Sequence, residues 1–180
     1  MRQNIAFTTA RRHFLRGEFA QSIADFNTAL EQGMNPECIH TPLGLAQLKH
    51  GDFADAVESF SCALALDQGN DRLYFLRGIT YMNLDDPDTA VDDFDDAIEL
   101  NDRRGASRVA RYLALRSLGK DEEAREDMEA VLALGDVEVE LFIREYCIAP
   151  AMQHWALELF DVGRGGKGWK LWRRHSTSTH

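Results

Sequence analysis

The chain repeats itself every 34 residues, and a pair of small residues seven positions apart marks each repeat. A phenylalanine lies between the two members of every pair, so each copy reads small, aromatic, small. On a helix of 3.6 residues per turn these positions share one face, where small side chains let a neighbouring helix approach closely. A fixed period of this length predicts stacked helical hairpins. The three clear sets are Ser22, Phe26 and Ala29, then Ala56, Phe60 and Ala63, then Ala90, Phe94 and Ala97.

Turn residues recur with the same period. Gly17, Gly51 and Gly119 each lie between two segments of apolar helical spacing, where a residue with positive φ can end one helix. In the third copy Asp85-Asp86-Pro87 occupies the corresponding place, and such residues also favour turns. With these positions equivalent, four copies abut without insertions. They are residues 3–36, 37–70, 71–104 and 105–138.

The start of the second copy carries two signals that conflict. Asn35-Pro36-Glu37 supplies an N-cap, a proline at the first helical position and an early acid, which together favour a helix start. Pro42 then follows at position 6 of the copy, where it either kinks the helix or makes it begin late behind Thr41. We therefore expect a shortened or bent first turn.

The residues at the packing positions resemble the tetratricopeptide repeat, a helix-turn-helix unit. The second copy matches best, and the fourth is weakest because Tyr112, Met128 and Val131 replace the usual residues. The resemblance implies an all-α, right-handed superhelical solenoid of about four repeats with a C-terminal capping helix or helix pair. The matching residues of the second copy are Gly44, Gly51, Phe53, Ala56, Phe60 and Ala63.

A solenoid needs an atypical final element to close its core, and residues 139–162 are the expected capping helices. The alternation of Val137, Val139 and Leu141 also suggests a strand, but the apolar spacing that follows favours a helix. Residues 163–180 then form a basic, tryptophan-containing tail that we expect to be flexible.

Charge is distributed unevenly along the chain. The net charge is −10, and residues 163–180 contain five basic residues and no acid, so the other 162 residues carry −10 − 5 = −15. An acidic body repels phosphate, so no nucleic-acid partner is expected. The sequence has no apolar run of membrane-spanning length and no secretory signal, so we expect a cytoplasmic protein without stable membrane anchoring. Cys38, Cys62 and Cys147 are interpreted as small buried hydrophobes.

The sequence offers no catalytic constellation. Its histidines show no close pairing with cysteine or acid and are interpreted as surface or core-edge residues. The acidic cluster of Asp92, Asp93, Asp95 and Asp96 is interpreted as a solvated outer face, and the glycine-rich stretch 163–168 as a linker. We therefore expect no enzyme, no metal and no cofactor.

In proteins similar to this one, the first helices of successive repeats line a concave groove, and positions 2, 5, 9, 12 and 13 face the ligand. Here those positions are mostly apolar with a few arginines, and position 13 of the second and third copies holds Lys49 and Asn83. Such a patch favours an amphipathic or extended segment with apolar anchors, although several of the side chains could instead pack as core. The implied partner-binding residues are Phe7, Arg11, Phe14, Leu45, Leu48, Arg72, Phe75, Ile79, Met82, Val109, Leu113 and Arg116.

The tail is a second candidate for docking, because it interleaves aromatic and basic residues. The tail could occupy the groove or the acidic outer face, giving a homo-oligomer or an autoinhibited monomer. The chain is thus predicted to be a non-enzymatic protein-interaction scaffold or adaptor. The alternatives are a chaperone-like or accessory subunit of a secretion or assembly complex, or a self-associating scaffold. The tail residues concerned are Trp169, Lys170, Trp172, Arg173 and Arg174.

Overall fold

A computed structural model describes residues 4–103, 105–127, 142 and 144–150, and these residues form helices and turns without any β-strand. The 3-10 turns are Pro36–Cys38 and Arg125–Asp127. The α-helices are α1 (Ile5–Leu15), α2 (Phe19–Glu31), α3 (His40–His50), α4 (Phe53–Leu66), α5 (Asp71–Asn83), α6 (Pro87–Leu100), α7 (Gly105–Ser117) and α8 (Asp121–Ala124).

The helices pair into hairpins that stack in chain order. Helices α1 and α2, α3 and α4, and α5 and α6 form successive hairpins, and α7 with α8 begins the next one. The second helix of each of these three hairpins also packs on the first helix of the following one, and α5 contacts α7 directly. The fold is an all-α solenoid, as the sequence predicts.

The small and aromatic positions of the repeat form the centre of each hairpin. Phe26, Phe60 and Phe94 are completely buried. A Cβ atom at Gly78 would lie 2.6 Å from Cε1 of Phe94, and one at Gly44 would lie 2.8 Å from Cε1 of Phe60. Both distances are shorter than real Cβ contacts, so a side chain at either glycine would displace the aromatic ring of the second helix.

In each copy, the turn between the paired helices has a residue with left-handed backbone conformation at position 15. The φ angles are 73°, 97° and 72° at Gly17, Gly51 and Gly119. In the third copy Asp85 adopts φ 65°, and Asp86 then caps α6 by accepting a hydrogen bond from the Thr89 backbone N–H. An aspartate tolerates this conformation better than most residues, so the turn survives without glycine.

The second copy begins with the disturbance expected from its prolines. Asn35 caps the 3-10 turn Pro36–Cys38 by accepting from the Glu37 N–H, and α3 starts separately at His40. Pro42 lies in the first turn of α3, where its missing N–H breaks no intrahelical hydrogen bond. The helix therefore begins late, although ahead of Thr41 and not behind it.

Two sequence interpretations of buried and exposed residues need correction. Cys38 is exposed, because it ends a 3-10 turn and does not lie on the packed face of a helix, while Cys147 is buried. Asp93 is only 3% exposed, whereas Asp92, Asp95 and Asp96 lie at the surface as expected. Asp93 is drawn inward by Arg77, which bonds both of its carboxylate oxygens.

The described part of the expected capping region begins as helix and continues without regular structure at residues 147–149. Residues 142 and 144–146 have helical backbone, and Val137, Val139 and Leu141, on which the strand interpretation rested, lie outside the described residues. The remainder of the expected cap and the whole of the tail 163–180 lie outside the described residues. None of the helices within the described ranges has the length and apolar character needed to cross a membrane.

Candidate functional site

The predicted binding positions divide into a buried group and an accessible group. Phe7, Phe14, Leu45 and Arg116 are half-buried, and Arg11 and Arg72 are exposed. The other six belong to the core, with at most 2% of their surface accessible. They are Leu48, Phe75, Ile79, Met82, Val109 and Leu113.

Part of this burial comes from the distant end of the chain. We call residues 142 and 144–150 the C-terminal segment, and it contacts the C-terminal ends of α3 and α5. Its Phe142 and Cys147 join the same buried cluster as Phe75, Ile79 and Met82. We call the side of α1, α3, α5 and α7 that carries the predicted binding positions the first-helix face. Its middle is covered by the chain itself.

Asn83 binds the main chain of the C-terminal segment. Its Nδ2 donates to the carbonyl of Tyr146 at 2.9 Å, and its Oδ1 accepts from the N–H groups of Ile148 and Ala149 at 2.9 and 2.7 Å. A fourth hydrogen bond, from Nδ2 to the Ile79 carbonyl at 2.8 Å, stays within α5. Every donor and acceptor of the carboxamide is therefore used, which fixes its orientation.

Lys49 and Phe75 contact two neighbouring side chains of the C-terminal segment, those of Glu145 and Tyr146. The Lys49 ammonium lies 2.9 Å from Oε1 of Glu145 and also donates to the Glu145 carbonyl. The rings of Phe75 and Tyr146 meet edge to face, with centroids 5.1 Å apart and planes at 88°. We call Lys49, Phe75 and Asn83 the Asn83 subsite.

Cys147 shows how closely the C-terminal segment is packed. It is 4% exposed, and burial raises the pKa of its thiol to about 12. A buried thiol in apolar surroundings stays protonated at neutral pH and is a poor nucleophile. Cys147 is therefore a structural residue here, and its reactivity reports whether the segment is in place.

The described residues leave a pocket in the N-terminal part of the first-helix face. A pocket of about 140 Å³ lies between α1 and α3, and next to it Leu15 is 83% exposed. The guanidinium of Arg11 lies 5.9 Å from the centroid of Phe7 and stands at the rim of this pocket. A cavity of roughly 150 Å³ holds a benzene ring, so one apolar side chain fits. The pocket is lined by Arg11, Phe14, Leu15, Phe26, Pro42 and Leu45.

Two histidines of the described residues lie next to acids, and both are at the surface or the edge of the core, as interpreted from the sequence. His13 Nδ1 on α1 lies 2.9 Å from Oδ2 of Asp25 on α2, and His50 Nδ1 lies 2.9 Å from Oδ2 of Asp52. The first pair is twelve residues apart in sequence and meets only because the hairpin closes. Among the described residues, no three potential ligands cluster as a metal site would require.

Sequence reasoning placed Asn83 and Lys49 on the correct face but could not assign them a ligand. Their partners are 63 and 96 residues away along the chain, so no local pattern connects them. The shared position 13 was the available signal. The predicted tail residues Trp169, Lys170, Trp172, Arg173 and Arg174 lie outside the described residues, so their docking stays a prediction.

The arrangement defines a class. It is a stack of helical hairpins, which is the architecture of repeat proteins with extended surfaces. Residues 41–107 match the sequence model of the tetratricopeptide repeat. The resemblance found in the sequence is thus confirmed, and this region is a tetratricopeptide-repeat region.

Solved structures share the fold over most of the chain. One crystal structure of MamA superposes with a TM-score of 0.71 at 18% identity and covers 100% of both chains, and another gives 0.67 at 18% identity, covering 93% of this chain and 96% of that one. A tetratricopeptide repeat protein from Parabacteroides merdae gives 0.65 at 15% identity, covering 97% of this chain and 79% of that one. At these identities the likeness shows the fold alone. No curated protein matches the sequence.

Proposed function

We propose that the chain is a non-enzymatic scaffold that binds a segment of a partner protein on the open, N-terminal part of its first-helix face. The observation that carries this proposal is the apolar pocket between α1 and α3 with Arg11 at its rim. Preformed helices hold the lining side chains in place, so the scaffold loses little conformational entropy on binding.

The residues that line the pocket indicate which chemical groups the partner segment must carry. One aromatic or branched apolar side chain fits between Phe14 and Leu45, and an acidic group next to it can pair with the exposed guanidinium of Arg11. An amphipathic helix or an extended strand can present such a pair. The partner is therefore a peptide with an apolar anchor beside an acid.

Selection from a displayed peptide library against the full chain tests this proposal. Selected peptides should share an apolar anchor beside an acid, and Phe14→Asp should weaken their binding at least tenfold, because a carboxylate removes the apolar wall of the pocket and can pair with Arg11 in place of the peptide's acid. Leu66→Asp is the matched control, since Leu66 is an exposed apolar residue of α4. Peptides that bind wild type and Phe14→Asp equally well would reject the pocket as the site.

A further inference from the structure

The middle of the first-helix face already holds a peptide, and that peptide belongs to the same chain. We propose that the Asn83 subsite is a second peptide-binding site, filled intramolecularly by the C-terminal segment, and that a partner peptide of the same chemistry exchanges with it. The inference rests on the proposed function, because both concern one binding face. It assigns a ligand chemistry to residues that sequence reasoning left without one.

The hydrogen bonds of Asn83 determine which main-chain groups the ligand must present and how many residues separate them. Asn83 bonds the carbonyl of Tyr146 and the N–H groups two and three residues further on. These main-chain groups occur in any peptide that turns in the same way. The carboxamide of Asn83 therefore does not restrict the side chains at those positions. It does exclude proline at either of the two donor positions, because proline has no N–H.

Side-chain contacts restrict the residues before the turn. The ammonium of Lys49 favours an acid where Glu145 stands, and Phe75 favours an aromatic ring where Tyr146 stands. The Glu145 side chain is half exposed, so its ion pair selects the ligand more than it strengthens binding. The ligand is therefore a peptide in which an acid directly precedes an aromatic residue.

The C-terminal segment is buried at Phe142 and Cys147 and accessible on its outward side at Arg144, Glu145 and Pro150. Its polar contacts connect main-chain groups and one half-exposed carboxylate to Asn83 and Lys49. An attached segment competes as an intramolecular ligand and therefore acts at a high effective concentration. A separate peptide therefore binds weakly until the intramolecular contacts are loosened.

Fluorescence anisotropy with a labelled peptide of residues 142–150, carrying Cys147→Ser, tests the exchange on the full chain. The double variant Glu145→Lys with Tyr146→Ala loosens the attached segment and leaves the Asn83 subsite intact. We expect it to bind the peptide at least tenfold more tightly than wild type does. Changing the residue of the peptide that corresponds to Ile148 to proline should remove this binding.

Charge reversal tests whether the contact is specific. Lys49→Glu should also release the attached segment, yet it should reject the peptide with glutamate and bind a peptide in which lysine replaces that residue. Equal affinity of wild type and the double variant, or equal binding of both peptides by Lys49→Glu, would overturn the proposal. Loss of helical circular dichroism in the double variant would overturn it too, since the segment would then be an obligatory part of the core.

The outcome is independent of the pocket between α1 and α3. The proposed function predicts that Phe14→Asp loses the peptides that bind the pocket. The same variant should bind the 142–150 peptide with unchanged affinity. A failure of the proposed function and a failure of the exchange are therefore distinguishable in the same set of variants.

Discussion

Arg77 on α5 holds Asp93 on α6 through two parallel hydrogen bonds, from Nε to Oδ2 at 2.9 Å and from Nη2 to Oδ1 at 2.7 Å. The same pair recurs 34 residues later as Arg111 and Asp127, with distances of 2.7 and 2.9 Å. In both copies the remaining Nη1 reaches the preceding hairpin, at Ser61 and at Asp95 respectively. One arginine thus joins the two helices of its hairpin and the hairpin before it.

Removing Arg77 should destabilise the protein. In Arg77→Ala the carboxylate of Asp93 stays buried without its partner, and breaking a buried pair costs about 3 kcal/mol. Urea denaturation followed by circular dichroism measures the free energy of unfolding. Arg125→Ala is the control, because its ion pair with Glu122 is largely exposed and should be worth less than about 1 kcal/mol. Equal losses in the two variants would contradict the prediction.

A single methyl group at Gly78 should disturb the third hairpin. The added Cβ would lie 2.6 Å from Phe94, so Gly78→Ala should cost about 1–3 kcal/mol through overpacking. Gly105→Ala is the matched control, since a Cβ there meets no atom within 4 Å. Thermal unfolding compares the two, and Phe94→Leu should relieve part of the loss at Gly78. An unchanged melting temperature for Gly78→Ala would mean that the ring moves aside freely.

Alkylation should separate the described cysteines by reactivity. With iodoacetamide at pH 8 we expect rapid modification of the exposed Cys38 and slow modification of Cys147, whose pKa is raised to about 12 by burial. A raised pKa leaves little thiolate at pH 8, so the rate at Cys147 should increase as the pH rises toward 12. Peptide mapping by mass spectrometry gives both rates. Comparable rates at pH 8 would show that the C-terminal segment is open in solution.

The same label reports on release of the C-terminal segment. Glu145→Lys with Tyr146→Ala should increase alkylation of Cys147 at least tenfold and leave Cys38 unchanged. Leu66→Asp is a control, because it alters an exposed residue of α4 away from the Asn83 subsite. An unchanged Cys147 rate in the double variant would mean that the segment is held by contacts other than those with Lys49 and Phe75.

The uneven charge of the chain predicts self-association through the tail. A segment of +5 can pair with a body of −15 on another molecule, and such pairing weakens as salt is added. Light scattering after size exclusion should give a larger mass for the full chain at low salt than for a chain ending at Val162. Identical masses at low salt would show that the tail does not contribute to self-association.

The repeat was predictable because its determinants are local. A ring such as Phe94 excludes a Cβ at Gly78 only sixteen residues away, and a left-handed turn favours Gly51 or Asp85 at one fixed position. The glycine opposite an aromatic ring recurs in the second and third copies and the left-handed turn recurs in all four, so the 34-residue period and the all-α solenoid could be inferred from the residues alone. The burial of Asp93 could not, because a carboxylate on a helix gives no sign that an arginine on the neighbouring helix will neutralise it.

Only the tertiary structure decided which part of the first-helix face is accessible. The sequence placed Phe75, Ile79 and Phe14 on one surface, yet Phe75 and Ile79 are buried and Phe14 lines an open pocket. The difference arises in part from the C-terminal segment, which meets Asn83 across more than sixty residues of chain. Contacts between such distant residues depend on how the hairpins stack. A periodic pattern gives the same signal in every copy, so it does not show which copy the C-terminal segment will contact. The sequence by itself therefore determined the scaffold, and the stacking of the chain determined where that scaffold is free to bind.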